Sequence, residues 1–99
     1  MAQYKGDFPI AVHPGEILRE MIDERGITQV RLAGHLGIDV ARINEICQRR
    51  RGISAQLAVL LGKALGTSAE LWMNLQKNWE LSQVDPISAR HVRPIRASA

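Results

Sequence analysis

Thr28-Gln29-Val30-Arg31-Leu32-Ala33-Gly34-His35-Leu36-Gly37-Ile38-Asp39-Val40-Ala41-Arg42-Ile43-Asn44-Glu45-Ile46-Cys47-Gln48-Arg49-Arg50-Arg51-Gly52-Ile53 holds two short helical patterns hinged at one glycine and followed by consecutive arginines. Thr28 is a good N-cap, because its hydroxyl can accept from an otherwise unpaired N–H of the first turn. Val30, Leu32, Ala33 and Leu36 then give the first helix an apolar side. Gly37 can take the positive φ of a tight turn, and Asp39 caps the second helix. In that helix Ile43 and Ile46 point inward with Val40 at the edge. Ala41, Arg42, Glu45, Gln48 and Arg49 are left on the outer side, and Gly52 is expected to close the segment. A small residue where the helices touch, a glycine turn and β-branched residues on the inner face make up the layout of a helix-turn-helix; Ala33, Gly37, Ile38, Ile43 and Ile46 fill those places.

Outward from this core the chain reads as more helix. Before it, Pro14 presets φ for a first turn, Glu16 sits where the helix dipole favours an acid, and Ile17, Leu18, Met21 and Ile22 recur at helical spacing up to Gly26. After it, Ser54 caps a helix whose apolar positions are Leu57, Ala58, Leu60, Leu61 and Leu65, ended by Gly66. Ser68 caps another, with Leu71, Trp72, Leu75, Trp79 and Leu81 on its repeat. The expected fold is all-α, a five-helix helix-turn-helix domain. Its boundaries are a flexible arm at 1–11, the helix-turn-helix domain at 12–83, and a tail at 84–99 that is a candidate dimerisation arm. In the tail Asp85-Pro86-Ile87 and Pro94 argue against a long helix.

The 99 residues fit one domain. Thirteen Lys and Arg face ten Asp and Glu, a modest excess, but between Thr28 and Ile53 the arginines outnumber the acids. Such a local basic patch is either the footprint of a polyanion partner or a solvated basic face. A single cysteine rules out an internal disulfide and any Cys-x-x-Cys ligand pair, which fits a reducing cytoplasm. No apolar run reaches signal-peptide or membrane-spanning length, so the expected location is cytoplasmic, on the nucleoid when DNA is bound. His13, His35 and His91 stand without a carboxylate or thiol at catalytic or ligand spacing. With no phosphate loop, nucleophile elbow or paired carboxylates either, the reading is a binding protein without catalytic residues, metal or cofactor.

The expected partner is double-stranded DNA. A reading helix enters the major groove with its leading end and outer face, here Asp39, Val40, Ala41, Arg42, Asn44 and Glu45. Arg42 is the best base reader, because its planar fork can donate two hydrogen bonds to a guanine edge, and Val40 or Ala41 can touch a thymine methyl. Asp39 doubles as a cap, and Glu45 can accept from cytosine although it repels phosphate. Thr28 and Gln29, at the start of the preceding helix, together with Gln48, Arg49, Arg50 and Arg51 at the exit of the reading helix, are the expected phosphate contacts. Cys47, next to inward Ile46, reads as a packing residue. Trp72 and Trp79 share one helix side, either both in the core or one in the core and one at a partner surface.

Three stretches carry a family resemblance: His13-Pro14-Gly15-Glu16-Ile17-Leu18, then Thr28 through Arg51-Gly52-Ile53-Ser54, then Gly66-Thr67-Ser68-Ala69-Glu70-Leu71-Trp72-Met73-Asn74-Leu75-Gln76. The chain resembles HigA-type, VapI-like antitoxins of the Xre family of helix-turn-helix regulators over roughly residues 12 to 81. The resemblance implies a five-helix Xre/lambda-repressor-like fold with a C-terminal extension, and a homodimer on a palindromic operator in its own promoter. It also implies neutralisation of a HigB-type toxin, a ribosome-dependent mRNA endonuclease encoded next door. Family members commonly dimerise through the C-terminal region, which makes Trp79, Leu81 and Ile87 the candidate dimer contacts. Members often carry Ser or Thr with Arg at the front of the reading helix; this chain has Asp39-Val40-Ala41, so the operator does not carry over. The alternatives are a stand-alone Xre-family repressor without a toxin, and a protein-interaction module that has lost DNA binding.

Overall fold

A computed structural model describes residues 11–96; most of the arm expected at 1–11 and the last residues of the tail lie outside it. The described residues form five α-helices, α1 (Pro14–Glu24), α2 (Gln29–Leu36), α3 (Val40–Cys47), α4 (Ala55–Leu65) and α5 (Ala69–Ser82), followed by a short 3₁₀ turn at Pro86–Ala89. No strand occurs among them. None of these helices is long and apolar enough to cross a membrane.

Each helix start follows from a side chain that accepts from its first turn. Thr28 Oγ1 accepts from Arg31 N–H at 3.0 Å, Asp39 Oδ1 from Ala41 N–H at 2.9 Å, Ser54 Oγ from Leu57 N–H at 3.2 Å and Ser68 Oγ from Leu71 N–H at 3.0 Å. Each such cap is worth roughly 1 kcal/mol. At α1 the cap is His13, whose Nδ1 accepts from Gly15 N–H at 2.9 Å. The chain turns between α2 and α3 at Gly37, in the left-handed region at φ 71°, as the two-helix motif requires.

The core is one cluster in which Leu18 and Ile22 of α1, Leu32 and Ala33 of α2, Ile43, Ile46 and Cys47 of α3, Leu57, Ala58, Leu61 and Leu65 of α4 and Trp72 of α5 are buried together with Ile53. Trp72 is fully buried, and its indole N–H is satisfied by Thr67 Oγ1 at 2.8 Å, so the largest apolar side chain enters the core without an orphaned donor. α4 packs chiefly on α5, and α3 is held between α1 and α2. Gly15 lets α1 approach α3 end-on: a β-carbon there would overlap the Ile46 carbonyl. Arg25 Nη1 donates to the Leu65 carbonyl at 2.7 Å, tying the end of α1 to an unpaired carbonyl in the last turn of α4.

Three expectations fail locally. Val30 is 70% exposed: of the apolar residues of the eight-residue α2, only Leu32 and Ala33 turn fully inward. Leu71 and Leu81 are exposed on α5, where Gln76 takes an inward place that the apolar count passed over. Finally, α3 ends at Cys47, and the left-handed residue that terminates it is Arg49, at φ 64°, not Gly52. Arg49 N–H donates to the Ile46 carbonyl at 2.9 Å and Arg50 N–H to the Glu45 carbonyl at 2.8 Å, the paired bonds of a Schellman end with arginine in the seat that glycine usually fills.

Candidate nucleic-acid interface

The solvent side of α3 is organised by hydrogen bonds to both neighbours. Asn44 Nδ2 donates to Gln29 Oε1 at 3.1 Å, joining the middle of α3 to the first residue of α2. Arg42 Nη2 donates to Ser54 Oγ at 3.1 Å, joining the first turn of α3 to the cap of α4. Arg51 Nε donates to Glu45 Oε1 at 2.8 Å, folding the loop after α3 back onto it. Gln29, Arg42, Asn44, Glu45, Arg51 and Ser54 therefore lie on one polar surface. Asp39, Val40 and Ala41 stand exposed at its leading end.

The sequence-predicted readers are thus brought together, but in different states. Val40 and Ala41 present apolar atoms to solvent. Asp39 is engaged as a cap and leaves its second carboxylate oxygen outward. Arg42 is only half exposed, and its Nε is buried without a hydrogen-bond partner among the described residues. Asn44 and Glu45 are half-buried and each is already bonded.

The arginine run does not act as a single patch. Arg49 turns toward α1, where Nη1 meets Glu16 Oε2 at 3.4 Å, whereas Arg51 turns toward α3. Both pairs are substantially exposed, so each is worth under about 1 kcal/mol and can open to meet a phosphate. Arg49 also occupies its left-handed position at a cost of about 1–2 kcal/mol relative to glycine. A chain that places arginine there, at the exit of a helix exposing its opposite face, retains positive charge at the expense of backbone comfort. Arg50 and Gln48 are exposed beside them.

Two supporting residues escaped the sequence reading. His13 is buried and meets the Trp79 ring edge-on, with centroids 4.6 Å apart. Burial pushes its pKa below 6.5; nearby Glu16 opposes the shift and Arg49 adds to it. Its place immediately before Pro14 was the available signal, since the residue before a first-turn proline is the cap. Gln76, also buried, accepts from Ile53 N–H through Oε1 at 2.7 Å and donates from Nε2 to Glu80 Oε2 at 2.7 Å. It thereby fixes the loop that carries the arginines to α5, and a β-carbon on Gly52 would stand 2.6 Å from its amide. Cys47 is buried with its thiol pKa pushed up by burial, which suits packing rather than reactivity.

Of the expected dimer contacts, Trp79 is half-buried against His13 of its own chain, while Leu81 and Ile87 are 66% and 62% exposed. An open, mostly apolar groove beside Leu81 is lined by Met73, Gln76, Lys77, Glu80, Leu81 and Val84. Ile87 falls in the Pro86–Ala89 turn, capped by Asp85. No group of three or more His, Cys, Asp or Glu able to hold a metal ion occurs among the described residues.

Comparison with known proteins places this architecture. The helix-turn-helix family HTH_3 matches residues 18–72. Virulence-associated protein I of Dichelobacter nodosus is 39% identical over 82 residues, covering 82% of this chain and 75% of the relative. The solved structure of Pseudomonas aeruginosa antitoxin HigA with higBA promoter is 36% identical with a TM-score of 0.71, covering 79% of this chain and 99% of that one. Antitoxin GraA in complex with its operator is 35% identical with a TM-score of 0.78, covering 89% and 94% of the two chains.

Proposed function

Because the chain belongs to the HTH_3 helix-turn-helix family, within its HigA-type, VapI-like group, we propose that it is a sequence-specific DNA-binding antitoxin. In this reading it represses its own operon as a homodimer and neutralises a HigB-type mRNA endonuclease toxin. The observation that carries the DNA part is the polar surface of α3, braced by Gln29 on one side and Ser54 on the other, with Val40 and Ala41 exposed at its leading end. Only a helix whose outer face is free of its own protein can enter a major groove. The antitoxin part is supported by the similarity to HigA and GraA, both solved with the DNA they bind.

In this reading Arg42 donates to a guanine, Val40 and Ala41 meet a thymine methyl, and Asn44, Asp39 and Glu45 contact or exclude neighbouring bases. Thr28, Gln29 and Gln48 hold phosphates, Arg49 and Arg51 leave their pairs with Glu16 and Glu45, and with Arg50 they add sequence-independent affinity. A dimer built through the face that exposes Leu81 and Ile87 sets two reading helices about 34 Å apart, in successive major grooves.

The test is fluorescence anisotropy of the full chain with duplex from directly upstream of its own gene and with a scrambled duplex, at two salt concentrations. Preference for the upstream duplex of at least a thousandfold, with a dimer in sedimentation, supports the reading; equal affinity for both duplexes overturns it. For the toxin, co-expression with the neighbouring open reading frame is expected to restore growth that the neighbour alone arrests.

A further inference from the structure

Arg42 is held in an unusual way. It is the third residue of α3, yet its guanidinium reaches across to the start of α4 and donates to Ser54 Oγ. The N-terminus of a helix carries partial positive charge and disfavours a cation, so folding energy alone gives this contact little reason to exist. Ser54 Oγ already accepts from Leu57 N–H, and its second lone pair takes the Arg42 proton. The Nε side of the guanidinium is turned into the protein, where Nε is buried and finds no acceptor among the described residues. A buried donor without a partner is unfavourable, and burying it leaves only the far edge, formed by the two Nη groups, for anything outside.

We infer that Ser54 is a positioning residue for base recognition: its hydroxyl fixes Arg42 so that the Nη1–Nη2 edge, and not the Nε edge, meets a guanine at one base pair of each half-site. The inference rests on the DNA-binding reading above and deepens it. A free arginine on a helix samples many rotamers and meets phosphates as readily as bases. Holding it at the cap of the next helix turns a sequence-independent charge into a directed two-donor fork. Preorganisation of this kind strengthens discrimination more than total affinity. The serine of the Arg51-Gly52-Ile53-Ser54 junction thus has two jobs, capping α4 and aiming the reader, and they separate chemically. Glycine largely preserves the cap but removes the hydroxyl, and threonine preserves both.

The experiment measures binding of the full chain to its upstream duplex and to every single-base-pair variant of it, for the wild type, Arg42→Ala, Ser54→Gly and Ser54→Thr, with melting temperatures to establish that each is folded. Arg42→Ala is expected to lower discrimination at one G·C pair per half-site by roughly tenfold or more. Ser54→Gly is expected to lower discrimination at that same pair several-fold, leaving other positions and the salt dependence unchanged, and Ser54→Thr to retain it. If Arg42→Ala loses the preference while Ser54→Gly keeps it in full, the positioning role is overturned and the DNA-binding reading stands. Loss in Ser54→Thr equal to that in Ser54→Gly overturns it as well, because the hydroxyl is then not what aims the arginine. Should Arg42→Ala leave every preference intact, Arg42 is no reader and the inference falls with that assignment; a wild type that binds all duplexes equally removes the DNA-binding reading itself.

Discussion

Gly52 and Gln76 form a single packing unit, and substituting Gly52 with alanine tests it. An alanine β-carbon would lie 2.6, 2.7 and 2.9 Å from Nε2, Oε1 and Cδ of Gln76, well inside van der Waals contact. Gln76 is buried and bonded at both ends, to Ile53 N–H and Glu80, so it cannot swing aside without loss. Overpacking of this kind costs about 1–3 kcal/mol. If the amide yields instead, that clash is exchanged for the loss of the acceptor of Ile53 N–H, which is buried, at a comparable cost of about 1–3 kcal/mol. The expected destabilisation of Gly52→Ala is therefore about 2–3 kcal/mol, a large part of the roughly 5–15 kcal/mol total of a small domain. In a urea titration this lowers the midpoint by about 1–2 M; on heating it lowers the melting temperature by roughly 10–20 °C.

The decisive measurement is the same substitution in a Gln76→Ala background. There the obstacle is gone, and Gly52 does not occupy the left-handed region, so alanine narrows the unfolded ensemble and stabilises by about 0.4–1 kcal/mol. The sign of the effect reverses between the two backgrounds. Equal cost in both, within about 0.5 kcal/mol, would refute the claim that Gln76 is what excludes a β-carbon at position 52.

His13 makes stability fall in acid. Its folded pKa is lowered by burial, so the folded state favours the neutral ring; the contribution is complete above about pH 6.5 and is lost as pH drops from there through the lowered folded value. Urea midpoints measured from pH 7.5 to 5 should decline in the wild type and flatten in His13→Asn, which keeps a capping side chain; parallel profiles would remove His13 as the cause. Arg49→Gly relieves a left-handed arginine and forfeits only an exposed pair with Glu16, so the melting temperature is expected to rise by several degrees, while the salt slope of DNA binding falls by about one unit. A drop in melting temperature would mean that the Arg49–Glu16 contact outweighs the backbone strain. Glu45→Gln frees Arg51 and removes an acid from the reading face, raising affinity for specific and scrambled duplexes alike; an effect confined to the specific duplex would instead make Glu45 a base contact.

The helices themselves were readable from local chemistry. Thr28, Asp39, Ser54 and Ser68 each cap the helix that follows, and the apolar stripes Leu18–Ile22, Ile43–Ile46 and Leu57–Leu61–Leu65 are the buried ones, because both signals depend only on neighbours within a turn or two. The same locality explains the failures at Val30 and Leu71, whose hydrophobicity matches a helical repeat but whose burial depends on whether another helix lies alongside.

Helix α3 and the residues on its solvent side were likewise legible. What was not is how those residues are held: Arg42 by Ser54, Asn44 by Gln29, Arg51 by Glu45, Arg49 by Glu16. These pairs join different helices or the loop between α3 and α4, and no periodicity within one segment encodes them. Gly52 is the clearest case. In the sequence it looks like a helix terminator, yet the turn it was expected to make is made by Arg49, and glycine is required there because Gln76, 24 positions along the chain, fills the space a side chain would take. Which segments are helical, and which side of α3 is turned to solvent, could be read from capping residues and apolar spacing alone. Which arginines are paired and which glycine makes room emerged only from the packing of the helices, because those depend on distances between helices that local propensity does not set.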